Sequence, residues 1–215
     1  MKIKKLWVLL LVSFLWTVSC SPKPDIKKLT QQAQKGDALA QNTLGGMYLN
    51  GRGVPQDVVQ AVKWYRLAAV QGNALAQFNL GYMYDSGRGV PQDVVQAVKW
   101  FSLAADQGYA PAQNNLGYMY ENGRGVPQDY VQAVKWTRLA ADQGYASAQV
   151  NLGLMYSLGS TMLPQDYVQG HKWYNLAAAQ GDSDAAKNRD LLAKQMTPQQ
   201  IAQAQELARN WKPKK

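Results

Sequence analysis

Apolar positions in this chain fall on helical faces, and the faces come in pairs. Ala76, Leu80, Met83 and Tyr84 stand at i, i+4, i+7 and i+8, which predicts a helix over about 74–85. Gly87-Arg88-Gly89-Val90-Pro91 follows. Gly87 suits the left-handed conformation that ends a helix, and Pro91 blocks its continuation. Asp93 and Gln96 then have the spacing of a capping box, in which the carboxylate accepts from free backbone N–H groups. Ala97, Trp100, Ala104 and Gln107 recur at helical steps from there, and Gly108 ends this second helix.

The pair repeats. Gly36, Gly72, Gly108 and Gly144 are spaced by 36 residues, and Gly181 closes a fourth unit that carries one inserted residue. Residues 73–108 and 109–144 are identical at 28 of 36 positions. A period of this length is the signature of a stacked array. No single hairpin can bury its apolar face alone, so neighbours must share one continuous core. The expected fold is all-α, an α/α solenoid of four helix hairpins at 37–72, 73–108, 109–144 and 145–181. Gly45, Gly81, Gly117 and Gly153 each follow a Leu inside the first helix. A mid-helix Gly costs about 1 kcal/mol against Ala, and its recurrence implies close backbone approach to the partner helix. Trp64, Trp100, Trp136 and Trp173 mark the second helix and should fill the space between one hairpin and the next.

Both ends look capped. Residues 20–36 supply a linker and an N-terminal capping helix over Asp25 to Lys35, with Leu29 and Ala33 inward. Residues 182–215 supply C-terminal capping helices and a basic tail. There Thr197-Pro198-Gln199-Gln200 offers an N-cap, a first-turn Pro and a box Gln, and Ile201, Ala204, Ala208 and Trp211 form the stripe of the last helix. The array is therefore expected to be complete.

The first nineteen residues have a different logic. Lys2, Lys4 and Lys5 precede a thirteen-residue uncharged run, Leu6 to Val18. A spanning helix needs about 20 apolar residues, so residues 1–19 are read as a secretory signal peptide. Cys20, the single Cys of the chain, stands directly after it in Thr17-Val18-Ser19-Cys20-Ser21. This segment resembles the lipobox of bacterial lipoproteins, in which the Cys becomes the lipidated N-terminus. Ser19 fits that pattern, and Thr17 departs from its usual Leu. Conventional cleavage and an uncleaved N-terminal anchor are the alternatives, and all three export the rest of the chain. The expected location is periplasmic or outer-membrane, with Ser21 after Cys20 favouring outer-membrane sorting.

The unit A-Q-x-x-L-G-x-M-Y, G-x-G-V-P-Q-D, Q-A-V-K-W-x-x-L-A-A-x-Q-G resembles Sel1-like repeats, relatives of the tetratricopeptide repeat. The resemblance covers about residues 37–211, and Leu192 to Ile201 is similar to the tail that often closes such arrays. Gly159-Ser160-Thr161-Met162-Leu163-Pro164 departs from the G-R-G-V-P loop, and Gly170-His171 replaces Ala-Val. The resemblance implies a right-handed superhelix and a protein-interaction scaffold or adaptor. Exported bacterial members are linked to envelope functions and host interaction. Some cysteine-rich relatives are described as penicillin-binding or β-lactamase-like, which makes a cell-wall or β-lactam-directed hydrolase the alternative. Those relatives carry paired cysteines, and this chain has one Cys.

Catalytic patterns are sparse. No Ser is followed three residues later by Lys, and no Lys is followed by Ser or Thr, which excludes the Ser-x-x-Lys and P-loop motifs. A Ser/His/Asp triad could use only His171, which stands where other copies have Val62, Val98 and Val134. One His and one Cys leave no Cys/His metal cluster. No catalytic residue, metal site or cofactor is therefore expected. Asp57, Asp93, Asp129 and Asp166 are expected to be helix caps.

A partner would bind along the concave face lined by the first helices. By resemblance to tetratricopeptide repeats, Asn79, Asn115 and Asn151, with Thr43 in the first unit, occupy positions that bond a peptide backbone. One turn on are Tyr82, Tyr118 and Leu154, with Gly46 in the first unit, and Asp85 and Glu121 follow on the same side. The expected partner is a peptide or protein segment. The alternative is structural, with Asn bridging neighbouring helices and Tyr packed. Copies differ at Phe78/Asn114/Val150, Val94/Tyr130/Tyr167 and Phe101/Thr137/Tyr174, through specialised surface or through drift.

The formal charge is +9. Lys2, Lys4 and Lys5 lie in the leader, which leaves +6 for the rest. Lys63, Lys99, Lys135 and Lys172 form a stripe, but each sits beside a Trp over which its stem can lie. Export argues against nucleic acid and for weak association with acidic envelope surfaces.

Overall fold

The computed structural model describes residues 25–160 and 163–214. The segment read as a signal peptide, residues 1–19, and the lipidation candidate Cys20 lie outside the described residues. The described chain folds into eleven helices. These are α1 Ile26–Gln34, α2 Ala38–Asn50, α3 Val58–Val70, α4 Ala74–Ser86, α5 Val94–Asp106, α6 Ala110–Asn122, α7 Tyr130–Asp142, α8 Ala146–Leu158, α9 Tyr167–Ala179, α10 Ser183–Ala193 and α11 Pro198–Arg209. Each packs on its neighbours in sequence, except that α10 and α11 both close over α9. This is the expected all-α solenoid of helix hairpins.

The boundaries follow from capping. Asp57, Asp93, Asp129 and Asp166 accept backbone N–H bonds at the starts of α3, α5, α7 and α9. The reciprocal capping box forms at Thr197 and Gln200. Gly87 ends α4 at φ 68°. The Pro-Gln-Asp segment that follows is tied back to the helix it left. Gln92 Nε2 donates to Asp85 O at 2.7 Å, and Asp93 N donates to Tyr84 O at 3.0 Å. The fourth loop keeps these ties through Gln165 and Asp166, although Gly159 turns to ψ 168°. Its shape departs from the other three while the helices on either side persist.

Within each hairpin, the mid-helix Gly is a contact. A Cβ on Gly81 would lie 2.8 Å from the Phe101 ring and 3.3 Å from Ala97 O. The variable residues at Tyr65, Phe101, Thr137 and Tyr174 are thus neither surface nor free to specialise; all are at most 3% exposed. Between hairpins, the core forms where the second helix of one unit meets the first helix of the next. Ala61, Val62, Tyr65, Ala68 and Ala69 of α3 join Ala76, Leu80 and Met83 of α4, with Trp100 packed against them. Trp64 and Trp136 occupy matching places, half-buried, and Trp173 is buried. At the far end, Trp211 stands edge-on to Trp173 with centroids 6.3 Å apart. The basic tail is held there, since Lys214 Nζ lies 2.7 Å from Asp142 Oδ2.

A ladder of glutamines stitches the array. Gln77 is 4% exposed. It donates to Ala69 O of the preceding unit at 3.1 Å and accepts from Gln107 of its own unit at 2.7 Å. Gln41/Gln71, Gln113/Gln143 and Gln149/Gln180 repeat the arrangement. Their signal was present as a Gln pair 30 or 31 residues apart in every unit.

Candidate functional site on the first-helix face

The first helices α2, α4, α6 and α8 carry one row of outward residues along the array. Tyr82, Tyr118 and Leu154 are 45%, 50% and 46% exposed. These phenol groups make no hydrogen bond among the described residues. A large ring held out from a packed helix, with its polar tip free, is a common interface anchor.

The three asparagines do not behave alike. Asn79 Nδ2 donates to Asn42 Oδ1 at 2.9 Å, and Asn151 Nδ2 donates to Asn114 Oδ1 at 2.9 Å. Both bonds cross from one unit to the next, so these two asparagines bridge helices. Asn115 has no such partner, because Phe78 stands where Asn42 and Asn114 stand. Phe78 instead packs on Phe101 and Tyr109, at centroid distances of 5.6 and 5.3 Å. The side-chain amide of Asn115 is half-buried and makes no hydrogen bond among the described residues. The structure therefore gathers Tyr82, Asn115, Tyr118 and Leu154 as free groups, and it commits Asn79 and Asn151 to the scaffold.

Clefts lie at both ends of the row. Gly46 of the first unit leaves open the place that Tyr82 fills in the second. A cleft of about 610 Å³ results, lined by Ile26, Thr43, Met47, Asn50 and Arg52. A smaller cleft of about 240 Å³ lies between α6, α7 and α8, with Glu121 and Leu154 in its wall.

Among the described residues, no group of three or more His, Cys, Asp or Glu could hold a metal ion. His171 is 3% exposed and its Nδ1 makes no hydrogen bond among the described residues. Burial, and then Arg189, hold its pKa below the ordinary value, against Asp190, which raises it. The cap aspartates are spent on backbone N–H groups. At two points of the lysine stripe the ammonium, and not the stem alone, lies by the Trp face, with Lys135 and Lys172 Nζ 4.9 and 4.2 Å from the centroids of Trp136 and Trp173. No described helix is long and apolar enough to cross a membrane.

The Sel1 repeat model matches residues 38–73, 74–109, 110–145 and 146–182. The chain belongs to the Sel1 repeat family. Sel1 repeats generally mediate protein–protein interaction, and the fold is typically a non-enzymatic scaffold. Among solved structures, the chain is similar to a Sel1 repeat protein from Oxalobacter formigenes, at 29% identity and a TM-score of 0.70, over 86% of this chain and 81% of that one. It is similar to c5321, a protective antigen of uropathogenic Escherichia coli with the same kind of repeat, at 30% identity and a TM-score of 0.58. That match covers 86% of this chain but only 48% of the antigen. The immunity protein Pa5087 of Pseudomonas aeruginosa shares the fold at 22% identity and a TM-score of 0.54, over 87% and 76% of the two chains. No curated protein matches the chain.

Proposed function

We propose that this Sel1 repeat protein is a non-enzymatic scaffold of the bacterial cell envelope that holds a peptide or protein segment against its first-helix face. The observation that carries the reading is the row Tyr82, Asn115, Tyr118 and Leu154. It presents apolar area with unused polar groups on helices fixed by glycine contacts and the glutamine ladder. A rigid surface loses little entropy on binding, so exposed rings there convert contact into affinity efficiently. Export through residues 1–19, with a lipid anchor on Cys20 in the periplasm or outer membrane, completes the proposal and rests on the sequence of the leader.

Photo-crosslinking tests the surface. A benzophenone amino acid at position 118 or 82 in living cells should give discrete protein adducts. The same group at Val95, on the outer side of α5 and 52% exposed, should give none. Adducts from position 95 alone would overturn the assignment, and saturable hydrolysis of nitrocefin by the purified protein would overturn the non-enzymatic reading. Labelled fatty acid should attach to the wild type and not to Cys20→Ala; equal labelling of both would remove the anchor.

A further inference from the structure

The four units are near copies, so a broken pairing in one of them is informative. Asp85, at the end of α4, lies 3.1 Å from Arg124 in the loop one unit on. Glu121 is the next copy of Asp85. The residue that corresponds to Arg124 is Ser160, because the fourth loop replaces Gly-Arg-Gly with Gly159-Ser160-Thr161. Glu121 therefore keeps the position of a paired carboxylate without the pair. Its side chain makes no hydrogen bond or ion pair among the described residues. It is half-buried, and burial alone pushes its carboxyl above the usual range, with no cation of the described chain offsetting that.

The surroundings explain the burial. Glu121 stands in the cleft of about 240 Å³ with Tyr130, Val134, Leu154, Leu158 and Leu163. Leu158 and Tyr130 are 70% and 45% exposed, so the walls are open to an occupant. The volume falls below the roughly 300–1,000 Å³ of pockets that enclose a whole small molecule. An apolar sleeve of this size with one uncompensated carboxylate complements a long aliphatic stem ending in a cation. Hydrogen bonds to charged groups that replace water in a partly buried place are among the stronger ones.

We propose that this cleft is the specificity pocket of the binding face and takes a lysine or arginine side chain of the bound segment. Its stem lies against Leu154, Leu158 and Tyr130, and its cationic head sits on Glu121. The proposal rests on the reading that the first-helix face binds a peptide or protein segment. The positive net charge of the chain opposes a basic partner at long range. Screening confines that repulsion to about 8 Å at physiological salt, so the contact is decided by the carboxylate it touches.

A random 12-residue peptide display library selected on the full chain tests this. Enriched peptides are synthesised and measured by fluorescence polarisation against wild type, Glu121→Gln and Tyr82→Ala/Tyr118→Ala, with melting curves as a folding control. The enriched peptides should share one Lys or Arg. Its replacement by norleucine, which keeps the stem, should weaken binding to wild type about tenfold, as expected for one charge-assisted bond. The same replacement should change binding to Glu121→Gln by less than about twofold. Enriched peptides without a shared cation, or an equal norleucine penalty on both proteins, would overturn the basic pocket. If those peptides still lost affinity for Tyr82→Ala/Tyr118→Ala, the peptide-binding reading would stand without it. Selection that yields no peptide sensitive to either variant would overturn both. Self-association abolished by Glu121→Gln would also overturn the proposal, since it would assign the cleft to a second copy of this chain.

Discussion

The side-chain amide of Asn79 donates to Asn42 Oδ1 at 2.9 Å, and this bond separates a structural asparagine from a free one. Asn42 is 6% exposed, so removing its partner leaves a buried acceptor unsatisfied, at a cost of about 1–3 kcal/mol. Asn79→Ala and Asn151→Ala should each lower unfolding free energy by roughly that amount in urea melts. Asn115→Ala should stay within about 0.5 kcal/mol of wild type, as substitutions away from such bonds usually do, and should weaken peptide binding instead. Equal destabilisation by all three would mean that Asn115 has a structural partner of its own.

The helices were legible from the sequence because their starts and stops are chemical. Asp93, Pro91 and Gly87 each act on the backbone next to them, so periodicity and caps located α4 and α5 within a residue or two. The interior was less legible. Phe101, Thr137 and Tyr174 occupy one position of the repeat but differ too much in polarity to read as core, yet all face a Gly on the partner helix. The fate of Asn79 depended on Asn42, 37 residues away, and the isolation of Asn115 depended on Phe78. Such pairings cross from one unit to the next, and local pattern carries no information about them. The loss of the Arg124 equivalent is visible in the sequence, where Gly159-Ser160 replaces Gly-Arg, but its consequence for Glu121 depends on a pairing that crosses units.

Adjacent glycines in α2 make the packing argument sharp. A Cβ on Gly45 would lie 2.7 Å from the Tyr65 ring and 3.2 Å from Ala61 O, whereas one on Gly46 would meet only Tyr65 Oη at 3.6 Å. Gly45→Ala should destabilise by about 1–3 kcal/mol, because overpacking against a buried ring and a backbone carbonyl outweighs helix propensity. Gly46→Ala should stabilise by about 0.5–1 kcal/mol, the ordinary gain for a mid-helix Gly. Thermal melts of the two variants should move in opposite directions; a stabilised Gly45→Ala would refute the close approach.

The glutamine ladder should behave as a structural unit. Gln77→Met keeps most of the volume but removes the donor to Ala69 O and the acceptor for Gln107. Ala69 O keeps the Gly72 N–H and the Gln107 amide keeps Leu103 O, so two bonds are lost without orphaning either group, and the expected loss is about 1–3 kcal/mol. Because stability in an array is a sum of units and interfaces, the weakened interface should broaden the denaturant transition as well as shift it. An unchanged midpoint for Gln77→Met would show that water replaces the ladder at no cost.

His171 should make the array sensitive to acid. The ring is 3% exposed and its Nδ1 makes no hydrogen bond among the described residues. Burial foremost, and Arg189 second, hold its pKa below the unfolded value of 6.5, with Asp190 acting weakly the other way. The unfolded chain therefore binds a proton more readily than the folded one. The stability tied to a neutral His171 is fully present above pH 6.5 and is lost as the pH falls below it, levelling only beneath the folded pKa. The slope can reach about 1.4 kcal/mol per pH unit. His171→Val restores the residue that Val62, Val98 and Val134 supply in the other units, and it removes both the titration and the unbonded nitrogen. The variant should match or exceed wild-type stability at pH 7.5, and its advantage should grow steadily at pH 6.5, 5.5 and 5.0 in denaturant titrations. Parallel stability curves for the two proteins over that range would mean that the buried imidazole takes up its proton in the folded state as easily as in the unfolded one.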